Sequence, residues 1–116
     1  MKVKYATIIV ASMEESIAFY TEVMGFVVDS RYEPLPGVVI TLMKRQEEAT
    51  IVLIENSDYA TGLYSVGMDV DDLNATMKAL KAEGAKITMD RVPTLVGALA
   101  FLEDPNGTRL ALIEHH

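Results

Sequence analysis

Side chains that ligate metals or move protons near neutral pH are unevenly supplied in this chain. It has no cysteine, and its only two histidines are its last two residues, His115 and His116. Disulfides, thiolate metal sites and cysteine nucleophiles are excluded together. A chain ending I-E-H-H directly after a complete strand looks like the start of a purification tag, so both histidines are set aside from site arguments. Two adjacent histidines are in any case a weak metal signal without a third convergent ligand. What remains is carboxylates, hydroxyls and one candidate ion pair, Asp69 with Arg109. Glu55 and Glu114 form a carboxylate pair, each closing an apolar run, T-I-V-L-I-E and R-L-A-L-I-E. The plain reading of these two is solvated strand-end acids.

Whatever these residues do depends on what holds them. The chain has 116 residues, half of them hydrophobic, which suits one domain with a real core rather than two independent ones. The net charge of -7 argues against nucleic acid or an anionic membrane surface as a partner. No apolar run approaches the ~20 residues of a spanning helix, and the N-terminus lacks an apolar signal region. A cytoplasmic location is expected.

An internal repeat decides the architecture. Tyr5 to Gly25 resembles Ser65 to Gly84: an apolar strand-like run, a cap residue (Ser12 or Asp72), then a helix. Met13, Ile17, Tyr20 and Met24 share one helix face, and Leu73, Met77 and Leu80 share the other's. Ser12 followed by Glu15 is a capping-box signature, and Gly25 and Gly84 stand where each helix should stop. The first helix is one residue longer than the second. Further on, Gly37 to Met43 answers Gly97 to Glu103, and Thr50 to Glu55 answers Arg109 to Glu114, at offsets of 60 and 59.

These runs, together with Phe26 to Tyr32 and Ala85 to Arg91, read as strands. Asp104-Pro105-Asn106-Gly107 reads as a tight hairpin turn. Arg91 to Gly97 reads as a loop that could cover a cup mouth. The expected fold is α+β, with two tandem β-α-β-β-β modules forming a curved mixed sheet, a half-open cup with helices on its outer face. Module 1 covers about residues 1–56 and module 2 about 63–114, packed as one domain over 1–116.

A doubled unit of this kind, carrying S-I-A-F-Y-T-E-V-M-G-F (Ser16 to Phe26) and E-D-P-N-G-T-R-L-A-L-I-E (Glu103 to Glu114), resembles the vicinal oxygen chelate superfamily. That group includes glyoxalase I, bleomycin-resistance proteins, extradiol dioxygenases and fosfomycin-resistance enzymes. The resemblance spans essentially the whole chain. It implies that metal-dependent members take ligands from the first and last strands of each module. Those positions correspond here to Tyr5, Val52, Ser65 and Ala111, and none offers the imidazole or carboxylate that a hard divalent ion needs. No metal and no cofactor is expected. Strand parity also turns Glu55 and Glu114 away from the face that Val52 and Ala111 line.

That face becomes the candidate ligand pocket: Tyr5, Thr7, Thr50 and Val52 from module 1, and Ser65, Asp69, Phe101, Arg109 and Ala111 from module 2. The facing of Phe101 is the least constrained by the sequence. Mostly apolar, with a few hydroxyls, this lining suits a small organic molecule, aromatic or, given the acidic chain, cationic. The expected function is a metal-free small-molecule-binding protein of the bleomycin-resistance type, working as a homodimer. Two alternatives stand beside it. One is a lyase or isomerase resembling glyoxalase I (lactoylglutathione lyase) or methylmalonyl-CoA epimerase. The other is a dimeric structural or regulatory module whose site is vestigial.

Overall fold

The computed structural model describes all of residues 1–116. Eight strands and two helices follow the order β1 (Lys2–Val10), α1 (Met13–Ala18), β2 (Val27–Leu35), β3 (Val38–Lys44), β4 (Thr50–Glu55), β5 (Gly62–Asp69), α2 (Leu73–Ala82), β6 (Lys86–Thr94), β7 (Gly97–Glu103) and β8 (Arg109–His115). Strand pairings are both parallel and antiparallel, so the class is α+β. Two compact units divide the chain, residues 5–64 and residues 65–116 with 1–4. In the first the strand order is β2-β3-β4-β1, and in the second β6-β7-β8-β5. In each, β-α-β-β-β chain order gives one parallel pair and two antiparallel ones.

Each unit buries its helix against one sheet face and has its own core. In the first, Met13 from α1, Met43 from β3 and Leu53 from β4 are buried together, with Ile8, Ile17, Tyr20 and Phe26 packed around them. In the second, Leu73 and Met77 from α2 meet Ala98, Ala100 and Leu102 from β7 and Leu112 from β8. These contacts fix parity: every second residue of β4 and β8 points at a helix, and the intervening ones point away. Met43 and Met68 belong to the helix-facing sets. They therefore fill core.

Both expected helix starts and stops are present. Ser12 accepts a hydrogen bond from the Glu15 N–H, and Asp72 one from the Ala75 N–H. Gly25 and Gly84 take φ of 78° and 95° after the last turns. The two ends are nonetheless built differently. In α2 the Ala85 N–H reaches the Leu80 carbonyl and the Gly84 N–H the Lys81 carbonyl, the paired pattern of a left-handed C-terminal stop. After α1 the chain widens into a π-helical turn over Phe19–Val23, and the Phe26 N–H reaches back six residues to Tyr20. That turn absorbs the one extra residue of the first module, as a single-residue insertion in a helix does.

This insertion corrects the repeat alignment. Before it, Met13 corresponds to Leu73, an offset of 60; after it, Glu55 corresponds to Glu114, an offset of 59. The register pairs Leu35 with Val38 and Thr94 with Gly97, so Val38 rather than Gly37 is the counterpart of Gly97. A one-residue slip matters because it exchanges the faces of the whole strand.

The stretch Arg91 to Gly97 is not a loop. Arg91 to Thr94 continues β6, and only Leu95 and Val96 turn the chain into β7. Pro93 sits in β6, which pairs only with β7, where its missing N–H costs no ladder bond on an outer strand. β2 likewise runs beyond Tyr32 to Leu35 and includes Pro34. β8 takes in His115, which pairs with Gly97.

Two positions test this packing. A Cβ added at Gly97 would lie 1.8 Å from the Glu114 carbonyl oxygen. Gly97→Ala therefore has to part β7 from β8, and denaturant melts should show a loss of about 3 kcal/mol. The Thr41 hydroxyl is buried without a hydrogen-bond partner. Replacing it with an apolar isostere removes an unmet desolvation cost, so Thr41→Val should raise stability by about 1 kcal/mol in the same assay.

Candidate functional site

The sheet face turned away from each helix carries the residues singled out in the sequence. In the first module Tyr5 pairs with Thr50 and Thr7 with Val52 across the parallel β1/β4 ladder. Directly opposed residues share a face, so these four side chains lie together. Leu42 of β3 joins them opposite Val52. Thr50 is buried.

In the second module Gly67 pairs with Ala111, Asp69 with Ile113, and Phe101 with Ala111. Phe101 is thereby placed on the candidate face, with the Arg109 guanidinium 5.7 Å from its ring centroid, within cation–π range. Ser65 is buried and shares strand parity with Gly67 and Asp69.

The expected Asp69/Arg109 pair is not formed. The register sets Asp69 beside Ile113, four residues along β8 from Arg109. Its carboxylate oxygen instead lies 2.8 Å from Nδ1 of His115.

Glu55 and Glu114 are not solvated strand ends. The Met13 N–H donates to Oε1 of Glu55 at 2.7 Å, and the Leu73 N–H donates to Oε1 of Glu114 at 2.8 Å. Met13 and Leu73 are the first residues of α1 and α2, so each carboxylate satisfies a helix N–H that has no intrahelical acceptor. A negative charge there also meets the positive end of the helix dipole. Glu114 is 9% exposed, and its other oxygen contacts Nη2 of Arg91 at 3.3 Å and Nε2 of His116 at 2.5 Å. The Leu73 N–H, followed by His116 and Arg91, pulls its pKa from 4.5 down to about 2. The signal was available: two carboxylates at the same repeat position, with the parity of Leu53 and Leu112, must point at the helices.

The superfamily's metal positions can be tested against this geometry. Val52 and Ala111 present only methyl groups, Ser65 a neutral hydroxyl, and Tyr5 a phenol that would have to ionise. The strand neighbours of Val52 and Ala111, namely Ile51, Leu53, Leu110 and Leu112, are apolar as well, so a one-residue shift of register supplies no carboxylate or imidazole there. These residues do not fit a hard divalent ion.

Comparison with known proteins places the fold. Residues 2–112 match the family model for the Glyoxalase/Bleomycin resistance protein/Dioxygenase superfamily. The chain belongs to that superfamily. Within it, a Vibrio parahaemolyticus protein named "Probable lactoylglutathione lyase" is 30% identical over 91% of this chain and 85% of its own. "Lactoylglutathione lyase" of Haemophilus influenzae is 25% identical over 99% of this chain and 93% of its own. Methylmalonyl-CoA epimerase from Mycobacterium tuberculosis superposes with a TM-score of 0.85, covering 99% of this chain and 88% of that one. At 17% identity it shares the fold alone.

The Glu114 clamp has a pH signature. A carboxyl whose folded pKa lies below its unfolded value contributes stability above about pH 4.5, and loses it as pH falls toward 2. Glu114→Gln should therefore lower the melting temperature at pH 6, with the gap to wild type closing as the pH approaches 2. A gap that stays constant over that range would contradict the assignment.

Proposed function

We propose that the protein binds a small organic molecule on these sheet faces without a resident metal, in the manner of the superfamily's bleomycin-resistance branch. The observation that carries this reading is the loss of donor chemistry at Tyr5, Val52, Ser65 and Ala111, on a face otherwise lined by Thr7, Thr50, Phe101 and Arg109. Apolar surface with a few convergent polar groups is the usual composition of a ligand site. The net charge of -7 favours a cationic over an anionic ligand in long-range steering, and Phe101 offers an aromatic contact. The protein acts in the cytoplasm as a homodimer, with no nucleic-acid or membrane partner. No helix is long and apolar enough to cross a membrane.

A second reading has support of its own. Relatives that match over nine-tenths of the chain or more carry the name lactoylglutathione lyase, which favours a lyase or isomerase on the same faces. The superfamily hosts several chemistries on one scaffold, so the name alone does not transfer.

The two readings separate in a thermal-shift screen of chelator-treated protein against aromatic and cationic compounds. A binder at 100 times its dissociation constant should add about 2.7 kcal/mol. That shift should survive chelation and weaken at least tenfold in Phe101→Ala. Turnover of a glutathione hemithioacetal that requires added divalent metal would instead establish the lyase.

A further inference from the structure

Because the modules align with one insertion, each position has an internal control. Around the end of α2 and the Asp104–Gly107 turn lies a cleft of about 640 Å³ in the second module. Its apolar floor comes from Leu80, Ala85 and Pro105, and its charged rim from Glu83, Glu103 and Asp104, with Lys86 as its one cation. A Cβ built on Gly84 or Gly107 would meet nothing within 4 Å. The backbone N–H groups of Thr108 and Asn106 hold the Asp104 carboxyl below its ordinary range. The negative end of α2 adds to the same field.

The equivalent corner of the first module is filled and has opposite character. Tyr20 stands for Leu80 and Phe26 for Ala85, packed edge to face at 5.8 Å. Arg45 stands for Asp104 and lies 3.7 Å from where a Gly25 Cβ would be. Lys44 stands for Glu103 and Met24 for Glu83. Beyond this filling, Val23, Met24 and Val27 leave 69%, 47% and 62% of their surface exposed. The second module builds the same corner with Glu83 and Lys86 at the Met24 and Val27 positions, so the scaffold does not require these apolar side chains to be exposed.

We propose that the apolar corner of one copy, Val23, Met24 and Val27 flanked by Lys44 and Arg45, docks into the cleft of a second copy. The occupant is indicated by matched character: exposed apolar groups against an apolar floor, and two cations against three rim carboxylates. In the free chain Lys44 is held only by Asp29 at 3.7 Å and Arg45 by Glu48, both exposed pairs. Such pairs contribute little and exchange readily for better partners. The inference rests on the homodimer reading above and assigns its surfaces. One corner-to-cleft contact is small beside a standard interface of ~20–30 residues a side, so concentration-dependent association is expected.

Sedimentation velocity over a concentration series tests this on three samples. Wild type should associate. Lys44→Glu with Arg45→Glu, and separately Glu83→Lys with Glu103→Lys, should each weaken association at least tenfold, and mixing the two variants should restore it. Lys44 and Glu83 are exposed and Arg45 and Glu103 half-buried outside both cores, so circular dichroism should show unchanged folds. The chain has no cysteine, so Val27→Cys mixed with Ala85→Cys gives an independent reading, with the mixed disulfide expected to dominate under mild oxidation. Wild type that stays monomeric overturns both the homodimer and these surfaces. A dimer that ignores the charge reversals, or a mixture that fails to re-associate, overturns the surfaces alone.

Discussion

The arrangement depends on one contact made twice: the carboxylate at the end of a module's last strand accepting the first N–H of its helix. Glu55 holds Met13 and Glu114 holds Leu73. A helix N-terminus has donors with nowhere to go, and a buried or half-buried anion has a charge to neutralise. Each solves the other's problem. The contact pins the helix start over β4 or β8, and apolar packing along Met13, Leu53, Leu73 and Leu112 follows from it. Once one sheet face is committed to the helix, the other is fixed as the only face on which Val52 and Ala111 can appear.

Within that constraint the two modules have diverged in chemistry more than in shape. A single π-helical turn accounts for their one-residue difference in length. The open face of the first module carries Thr7, Val52 and Leu42 in one row, where the second has Gly67, Ala111 and Phe101. The outer corners differ still more, with tyrosine, phenylalanine and arginine on one side and leucine, alanine and aspartate on the other. A scaffold held by backbone pairing and buried aliphatics tolerates such change, because surface positions contribute little to its stability.

Much of this was legible in the residues, for identifiable reasons. Ser12, Asp72, Gly25 and Gly84 mark helix ends through local backbone chemistry that tertiary context rarely overrides, and Asp104 to Gly107 does the same for a turn. The candidate faces followed from strand parity counted out from the positions that the family resemblance marked, whereas the facing of Phe101 needed the β7/β8 register. What escaped depended on long-range geometry. The π turn leaves no local mark beyond an extra residue, and that residue displaced the alignment of Gly37 with Gly97. Pro93 punctuated what is in fact an outer strand. Asp69 found His115 rather than Arg109 because register, not charge, set its neighbours. Glu55 and Glu114 passed as surface acids because the N–H donors they accept from lie about forty residues away in sequence.

The proposed metal-free reading turns on Tyr5, Val52, Ser65 and Ala111 supplying no ligand set for a divalent ion. Calorimetric titration of Ni²⁺ or Zn²⁺ into chelator-treated protein with His115→Ala and His116→Ala tests it most directly. The account predicts no saturable one-to-one binding at micromolar concentrations. Stoichiometric binding tight enough to survive dialysis would contradict it.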